Sequence, residues 1–258
     1  MDREALKVSL LSAVEQLIAV TERISFGVVG SRPEEPLGAT RVRIRPEQPR
    51  DILGFDLSAT TDLTALVLTC RKDGLVYVWS YFWMPQDSVQ EAARRDRAPY
   101  DVWVKQGLLR TTPGKVIDYD FVARDIGELT AGLNIALIGF DRWRMDRMKA
   151  SLERQGVDLP LKEHGQGFKD MSPALDALEA DLLKGIVRHG GHPVLTMCAA
   201  NAVAVPDPAG NRKLDKSKAT GRIDGMVALT MAEGVEAMAQ ELTPVSPWDD
   251  PSFSLAAA

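Results

Sequence analysis

The pattern of apolar positions between residues 51 and 83 predicts three β-strands. The segments ILGFDLS, LTALVLTC and LVYVWSYFW are rich in β-branched and aromatic residues, which is typical of strands. Lys72, Asp73 and Gly74 separate the second segment from the third and indicate a tight hairpin turn. Because short connections join the three strands, the pattern predicts an antiparallel meander.

Beyond residue 118 the pattern alternates between helices and further strands. A helix is expected near residues 119–131, and IALIGFD, at 135–141, is a nearly continuous apolar run that predicts a strand buried on both faces. The segment RWRMDRMKASLERQG then predicts a helix that Gly156 ends, and a short strand is expected near 157–163.

Two more helices are predicted towards the end of the chain. SPALDALEADLLKG has Ser172 as its expected N-cap, Pro173 at the first helical position and Gly185 past its end. IDGMVALTMAEGVEAMAQ predicts the last helix, and a polar segment, residues 207–222, precedes it.

The chain divides into three parts by pattern. In residues 1–50, an apolar periodicity over 3–27 predicts a helix, and four prolines with many charges over 30–50 predict a linker. The domain is expected over residues 51–242, and residues 243–258 form a Pro-rich tail that we expect to be irregular.

Composition narrows the class of protein. Of 258 residues, 45% are hydrophobic and 26% are charged, as in soluble globular proteins. No apolar run is long enough for a membrane span and the N-terminus lacks a signal-peptide pattern, so we expect a cytoplasmic protein without membrane contact. The net charge of −5 argues against a generally basic nucleic-acid binder, although a local basic track remains compatible with it.

The two cysteines and the paired histidines give no strong sign of a metal site. Cys70 and Cys198 stand in apolar surroundings outside any CxxC motif, so buried free thiols are expected. His189 and His192 flank a Gly-Gly turn with no third ligand nearby, which favours a loop without metal.

Three aspartates form the candidate site. Asp56 and Asp141 each follow an apolar strand directly, and Asp224 begins the last helix, whose apolar face would pack on the sheet. If these elements are neighbours, the carboxylates meet and repel one another, and hard divalent ions such as Mg²⁺ or Mn²⁺ resolve that repulsion. Taken singly, Asp56 could be a turn residue and Asp224 a favourable charge at a helix N-terminus.

A basic segment directly before Asp224 is a candidate contact for a phosphate backbone. NRKLDKSKATGR, at 211–222, sets five basic residues against one acid, Asp215, for a net charge of 5 − 1 = +4. We expect the segment to be a flexible loop beside the site, and a loop that is only solvated is the alternative. Arg144, in the segment after Asp141, is a further candidate. The basic residues of the segment are Arg212, Lys213, Lys216, Lys218 and Arg222.

Six stretches, in order along residues 51–240, resemble the nuclease domain of phage terminase large subunits. They are GFDLSATTDLTALVL, YFWMP, GFDRWR, GQGFKDMSPALDALEADL, HGGHPVLTMCAANAVAV and GRIDGMVALTMA. The resemblance implies an RNase H/RuvC-like α/β fold: an antiparallel three-strand meander followed by parallel strands, with helices on both faces. The element order read from the pattern agrees with it.

The resemblance also implies an activity and partners. The family's three acidic positions map onto Asp56, Asp141 and Asp224, which would bind two Mg²⁺ or Mn²⁺ ions for cleavage of concatemeric viral DNA during genome packaging. Asp62 could be a supporting ligand or a turn residue. Double-stranded DNA, a packaging ATPase, the portal and the small terminase subunit are the implied partners.

One departure from a full large terminase is the absence of a GxxxxGK[ST] motif, so we expect no ATPase in residues 1–50 and no translocation by this chain alone. A split gene, a prophage remnant and an excised domain are all compatible with that. Other functions remain open: another RNase H-like nuclease such as a junction resolvase, an actin-like or sugar-kinase ATPase, or a non-catalytic remnant that binds DNA or portal. The ATPase folds need a second phosphate loop, which the sequence lacks.

Overall fold

A mixed β-sheet is the centre of the fold. The computed structural model describes residues 51–56, 63–142 and 145–241, and the sheet of this region has seven strands. The predicted N-terminal helix, the linker and the C-terminal tail lie outside the described residues. The first three strands are β1 (Asp51–Asp56), β2 (Thr64–Lys72) and β3 (Leu75–Pro85).

The predicted meander is confirmed. β2 pairs antiparallel with both β1 and β3. Asp73 and Gly74 form the turn between β2 and β3 with positive φ angles of 52° and 75°. Two left-handed residues in succession give a turn whose twist matches that of the flanking strands, which is why an Asp-Gly pair is suited to this position.

The remaining strands extend the sheet on both sides of the meander. They are β4 (Arg110–Thr112), β5 (Ile135–Phe140), β6 (Leu161–Glu163) and β7 (Val187–Arg188). The strand order is β4-β3-β2-β1-β5-β6, with β7 also beside β3. β5 runs parallel to β1, and β6 runs parallel to β5, as the sequence pattern and the resemblance both predicted.

Helices cover both faces of the sheet. On one face, Val122 and Met148 pack with Phe55 and Ile138, and on the other face Val235 packs with strand residues that include Ile52. The fold class predicted from the sequence is therefore confirmed. The helices are α1 (Val89–Asp96), α2 (Tyr100–Lys105), α3 (Tyr119–Thr130), α4 (Met145–Arg154), α5 (Phe168–Leu183), α6 (Pro193–Asn201) and α7 (Asp224–Glu241).

Helix α7 approaches the sheet closely at two glycines. A Cβ atom at Gly54 would overlap the carbonyl oxygen of Ala228, and one at Gly139 would lie 2.8 Å from the carbonyl oxygen of Met231. Glycine is required at both positions because the helix backbone occupies the space of a side chain. This contact seats α7 on β1 and β5, with its first turn at the end of β1 that carries Asp56.

Two predictions about the polar connections are wrong. Helix α5 begins at Phe168, after Gly167 in extended conformation, so Ser172 is not its N-cap and Pro173 lies inside the helix. The Ser172 hydroxyl instead accepts a hydrogen bond from the backbone N–H of Arg212 at 3.0 Å. Gly185, with φ +66°, does follow the helix end as expected.

The second wrong prediction concerns the basic segment, which was expected to be a flexible loop. Residues Arg212–Leu214 form a strand, β9, that pairs antiparallel with β8 (Ala204–Pro206). The pattern did not reveal this strand because it is only three residues long. Leu214 is buried against α7 residues that include Val227, and this anchors the hairpin to the domain.

The cysteines are buried free thiols, as predicted. His189 accepts a hydrogen bond from the Gly191 N–H at Nδ1, and the His192 ring packs on Phe82 with its pKa lowered to about 4 by burial.

Across the described ranges, no helix has the length and apolar character needed to cross a bilayer.

Candidate functional site

The parallel pairing of β1 with β5 brings two of the candidate aspartates to the same sheet edge. Phe55 of β1 is the register partner of Phe140 of β5, and Asp56 and Asp141 each follow directly. Side chains alternate along a strand, so residue 56 shares the face of Gly54, and residue 141 that of Gly139. Both glycines lie against α7, so this is the face on which the last helix packs.

The third candidate, Asp224, is the first residue of α7 and lies one turn before Ala228, which contacts Gly54. Its carboxylate and that of Asp56 contact the same ammonium group. Lys216 Nζ donates to Asp56 Oδ2 at 2.6 Å and to Asp224 Oδ1 at 3.1 Å. Asp56 is 2% exposed and Asp224 is 7% exposed. Two buried carboxylates are thus held together by one cation.

Burial dominates the electrostatics of Asp56. Removal from water raises the pKa of its carboxyl to about 7, and the nearby Asp224 carboxylate adds to the rise, whereas Lys216 opposes it. The Gln166 amide donates a hydrogen bond to Asp56 Oδ1 at 3.3 Å, so both carboxylate oxygens have donors. A negative charge at Asp56 therefore depends on a neighbouring cation.

Asp141 lies at the rim of this arrangement and is partly exposed. Burial lowers the pKa of His164, and the charge of Asp141 acts in the opposite direction. Within the described residues, no three His, Cys, Asp or Glu side chains are close enough together to hold a metal ion. The structure therefore joins Asp56 and Asp224 through Lys216 and places Asp141 beside Asp56 only through the strand register.

Most of the basic segment is paired with acids of the same chain. The Arg212 guanidinium binds Asp176 and Glu179, and the Arg222 guanidinium binds Asp96 at 3.2 Å. Lys213 is different, because its ammonium lies 5.0 Å above the Phe168 ring. Lys218 is exposed. Asp62 and Arg144, two further candidates, lie outside the described residues.

Two residues at this edge were not identified as site residues from the sequence. Gln166 contacts Asp56 from the connection between β6 and α5, and His164 directly follows β6 with its ring against Gly234 of α7. A signal for Gln166 was present, since GQGF follows a strand that neighbours the strand of Asp141. A polar residue between two glycines at such a strand end is typical of a site loop.

Comparison with known proteins identifies the fold and the family. Residues 48–241 match the terminase large subunit, endonuclease domain, family. The chain is 59% identical over 182 residues to the terminase large subunit of Enterobacteria phage HK97. The aligned residues make up 70% of this chain and 36% of that protein. The crystal structure of the HK97 large terminase matches with a TM-score of 0.71 and 55% identity over 75% of this chain and 40% of that one.

A more distant structure supports the fold alone. The large terminase nuclease from thermophilic phage G20c matches with a TM-score of 0.52 at 13% identity, over 87% of this chain and 96% of that one. The chain thus spans well under half the length of its HK97 relative and nearly the whole of an isolated nuclease domain. The RNase H-like fold, the sheet edge with its aspartates and the match over residues 48–241 agree, and the chain belongs to the family of terminase large subunit endonuclease domains.

Proposed function

We propose that this chain is a metal-dependent DNA endonuclease that cuts concatemeric viral DNA during genome packaging. The observation that carries the proposal is the shared contact of Asp56 and Asp224 with one cation, Lys216. The two carboxylates come from a strand and a helix far apart in the chain, and both are buried. Burying two like charges side by side is costly unless a positive charge is present, so the site is built to hold a cation.

The donor set fits a hard divalent ion. Carboxylate oxygens are the ligands that Mg²⁺ and Mn²⁺ prefer, and Asp56 and Asp224 offer them in a buried setting. Asp141, one strand away at the same edge, is the residue that would complete a set for two ions. The chemistry that such ions supply is activation of a water and stabilisation of the leaving oxygen in phosphodiester hydrolysis. Gln166 would orient Asp56 through its hydrogen bond to Oδ1.

Contact with double-stranded DNA is assigned to the basic residues next to this edge. Lys213 and Lys218 carry no carboxylate contact in the ion pairs of the described region. Lys213 lies in β9, and Lys218 lies in the turn after β9 that also carries Lys216. Arg212 and Arg222 are bound to acids and would have to exchange those partners for phosphate. Arg144 remains a candidate from its position after Asp141. Phosphate contacts of this kind hold a duplex without reading its sequence.

Membership of the terminase family supports the biological setting. A packaging ATPase, the portal and the small terminase subunit are the partners we propose, in the cytoplasm of a host cell. The HK97 relative is nearly three times as long as the matched segment, since 182 residues make up 36% of it. The proposal for this chain is therefore the cleavage step.

A plasmid assay tests the proposal. Supercoiled plasmid is incubated with the 258-residue chain in Mn²⁺, in Mg²⁺ and with a chelator, and nicked and linear products are measured. D56N, D141N and D224N keep the side-chain shape but remove a charged ligand, so each should lower the cleavage rate by orders of magnitude. D158N, at an exposed aspartate after α4, is the matched control and should cut like the wild type. Undiminished cutting by all three site variants would overturn the assignment.

A further inference from the structure

The loop that carries Lys216 is rigidly held on both sides of that residue. Asp215 accepts hydrogen bonds from the Ser217 N–H at 2.9 Å and from the Ser217 hydroxyl at 2.6 Å through the same carboxylate oxygen. The Asp215 N–H donates to the Val203 carbonyl, and the Thr220 N–H donates to the Asn201 carbonyl. The backbone around residue 216 is therefore fixed by a local turn and by two anchors to neighbouring segments.

The Lys216 side chain, in contrast, can leave without moving this backbone. It is 45% exposed although its ammonium contacts two carboxylates that are 3% and 9% exposed at the side chain. A lysine has four rotatable side-chain bonds, so rotation about them carries the ammonium into solvent while the turn stays in place. Lys216 is thus a cation that can leave the two carboxylates while the backbone that carries it stays in place.

We propose that Lys216 is a resident counter-cation that a divalent metal ion displaces when it binds between Asp56 and Asp224. This inference rests on the proposed function and deepens it. Without metal, the ammonium offsets part of the negative charge of the two buried carboxylates. With metal, the same carboxylate oxygens change partner, and the released ammonium lies on the turn after β9, close in sequence to Lys213 and Lys218. Binding of metal and availability of Lys216 for a DNA phosphate are therefore coupled.

Competition for the same oxygens gives the proposal a thermodynamic signature that needs no DNA. Mn²⁺ has to remove Lys216 in the wild type and does not in K216M, so K216M should bind Mn²⁺ more tightly. Coupling between two sites of this kind is typically 5- to 150-fold. We expect at least about a fivefold lower Kd for K216M, measured by isothermal titration calorimetry on the full chain. K216R keeps a cation and should bind Mn²⁺ no more tightly than the wild type.

The matched control is K72M, which removes the same charge from an exposed lysine at the far end of β2. Solvent screens the charge of Lys72, so the Kd for Mn²⁺ should stay within about twofold of wild type. K216M leaves two carboxylates without a cation, so circular dichroism first checks its fold, and K216Q replaces it if it is unfolded. Equal or weaker Mn²⁺ binding by the folded neutral variant would overturn the inference. Absence of Mn²⁺ binding in wild type and variants alike would instead reject the metal assignment of the proposed function.

Discussion

Lys216 donates to Asp56 across 160 residues of sequence and at the same time to Asp224, eight residues ahead of it. This one ammonium links the end of β1, the start of α7 and the turn after β9 at the same edge of the sheet. Because one ammonium contacts both carboxylates, they can be buried next to each other even in an acidic chain of net charge −5. It also means that the basic segment is part of the site, not a separate surface.

The tight contact of α7 on the sheet predicts a sharp effect of a single methyl group. G54A would place a Cβ against the backbone carbonyl of Ala228, and backbone cannot rotate away as a side chain can. Overpacking typically costs 1–3 kcal/mol, and we expect about 3 kcal/mol here because the obstacle is main chain. The free energy of unfolding in urea measures it.

G167A is the control for this prediction. A Cβ at residue 167 has open space around it, so the loss should stay below about 1 kcal/mol, which reflects only the change of N-cap residue on α5. Similar losses in the two variants would show that α7 does not approach β1 as closely as the structure has it.

The contacts of Arg71, at the end of β2 that lies away from Asp56, predict that the stability of the domain depends on pH. Its guanidinium binds three carboxylates: Asp181 at 2.6 Å, Glu233 at 2.6 Å, and Glu236. R71Q leaves these acids without their shared cation. Breaking a buried ion pair costs about 3–5 kcal/mol, and we expect about 3 because the Arg71 side chain is 35% exposed. K72Q removes the neighbouring exposed charge and is the matched control.

The sign of the pH effect follows from Glu233. Burial raises the pKa of its carboxyl to about 7, with Arg71 opposing, so the folded state holds this proton more tightly than the unfolded chain does. The associated stability is full below the ordinary pKa of the acid and is lost as pH rises through about 7. The loss in free energy of unfolding of R71Q, relative to K72Q, should therefore become smaller as the pH falls from about 8 to about 5. A deficit that grows on acidification would contradict this.

Salt dependence of DNA binding tests the roles of the basic residues. K213A and K218A should each weaken binding about equally on unrelated duplexes and flatten the salt slope by up to ~0.9 log unit per lost phosphate contact. K72A, at the last residue of β2, should leave the slope unchanged. If the slopes for K213A and K218A equal the K72A slope, these lysines are only hydrated surface residues that do not contact DNA phosphates.

The regular elements near the site could be predicted because local patterns determine them. Strand runs that end in Asp56 and Asp141, the Asp73-Gly74 turn and the last helix each follow from periodicity or from a residue suited to one backbone conformation. The prediction was wrong where contacts between distant parts of the chain determine the local structure. Ser172 has the sequence of an N-cap, but its hydroxyl binds the backbone of Arg212, 40 residues away.

The site itself was predictable only as a set of acids. No local signal shows that Lys216 contacts Asp56, because that contact depends on how β9 packs against α5 and α7. The same holds for Arg71, which by sequence only flanks a turn, and for the short helices α1 and α2 in a stretch of mixed polarity. Charge runs reveal which residues are basic, and the fold decides which of them already have an acidic partner.

We propose that the edge formed by Asp56, Asp141 and Asp224 binds divalent metal. Anomalous scattering from crystals of the full chain soaked in Mn²⁺ locates manganese without reference to activity. We expect anomalous peaks in contact with Asp56 and Asp224, with Asp141 as a further ligand and the Lys216 ammonium moved away. A site without an anomalous peak at saturating Mn²⁺, with Lys216 still bridging the two carboxylates, would contradict it.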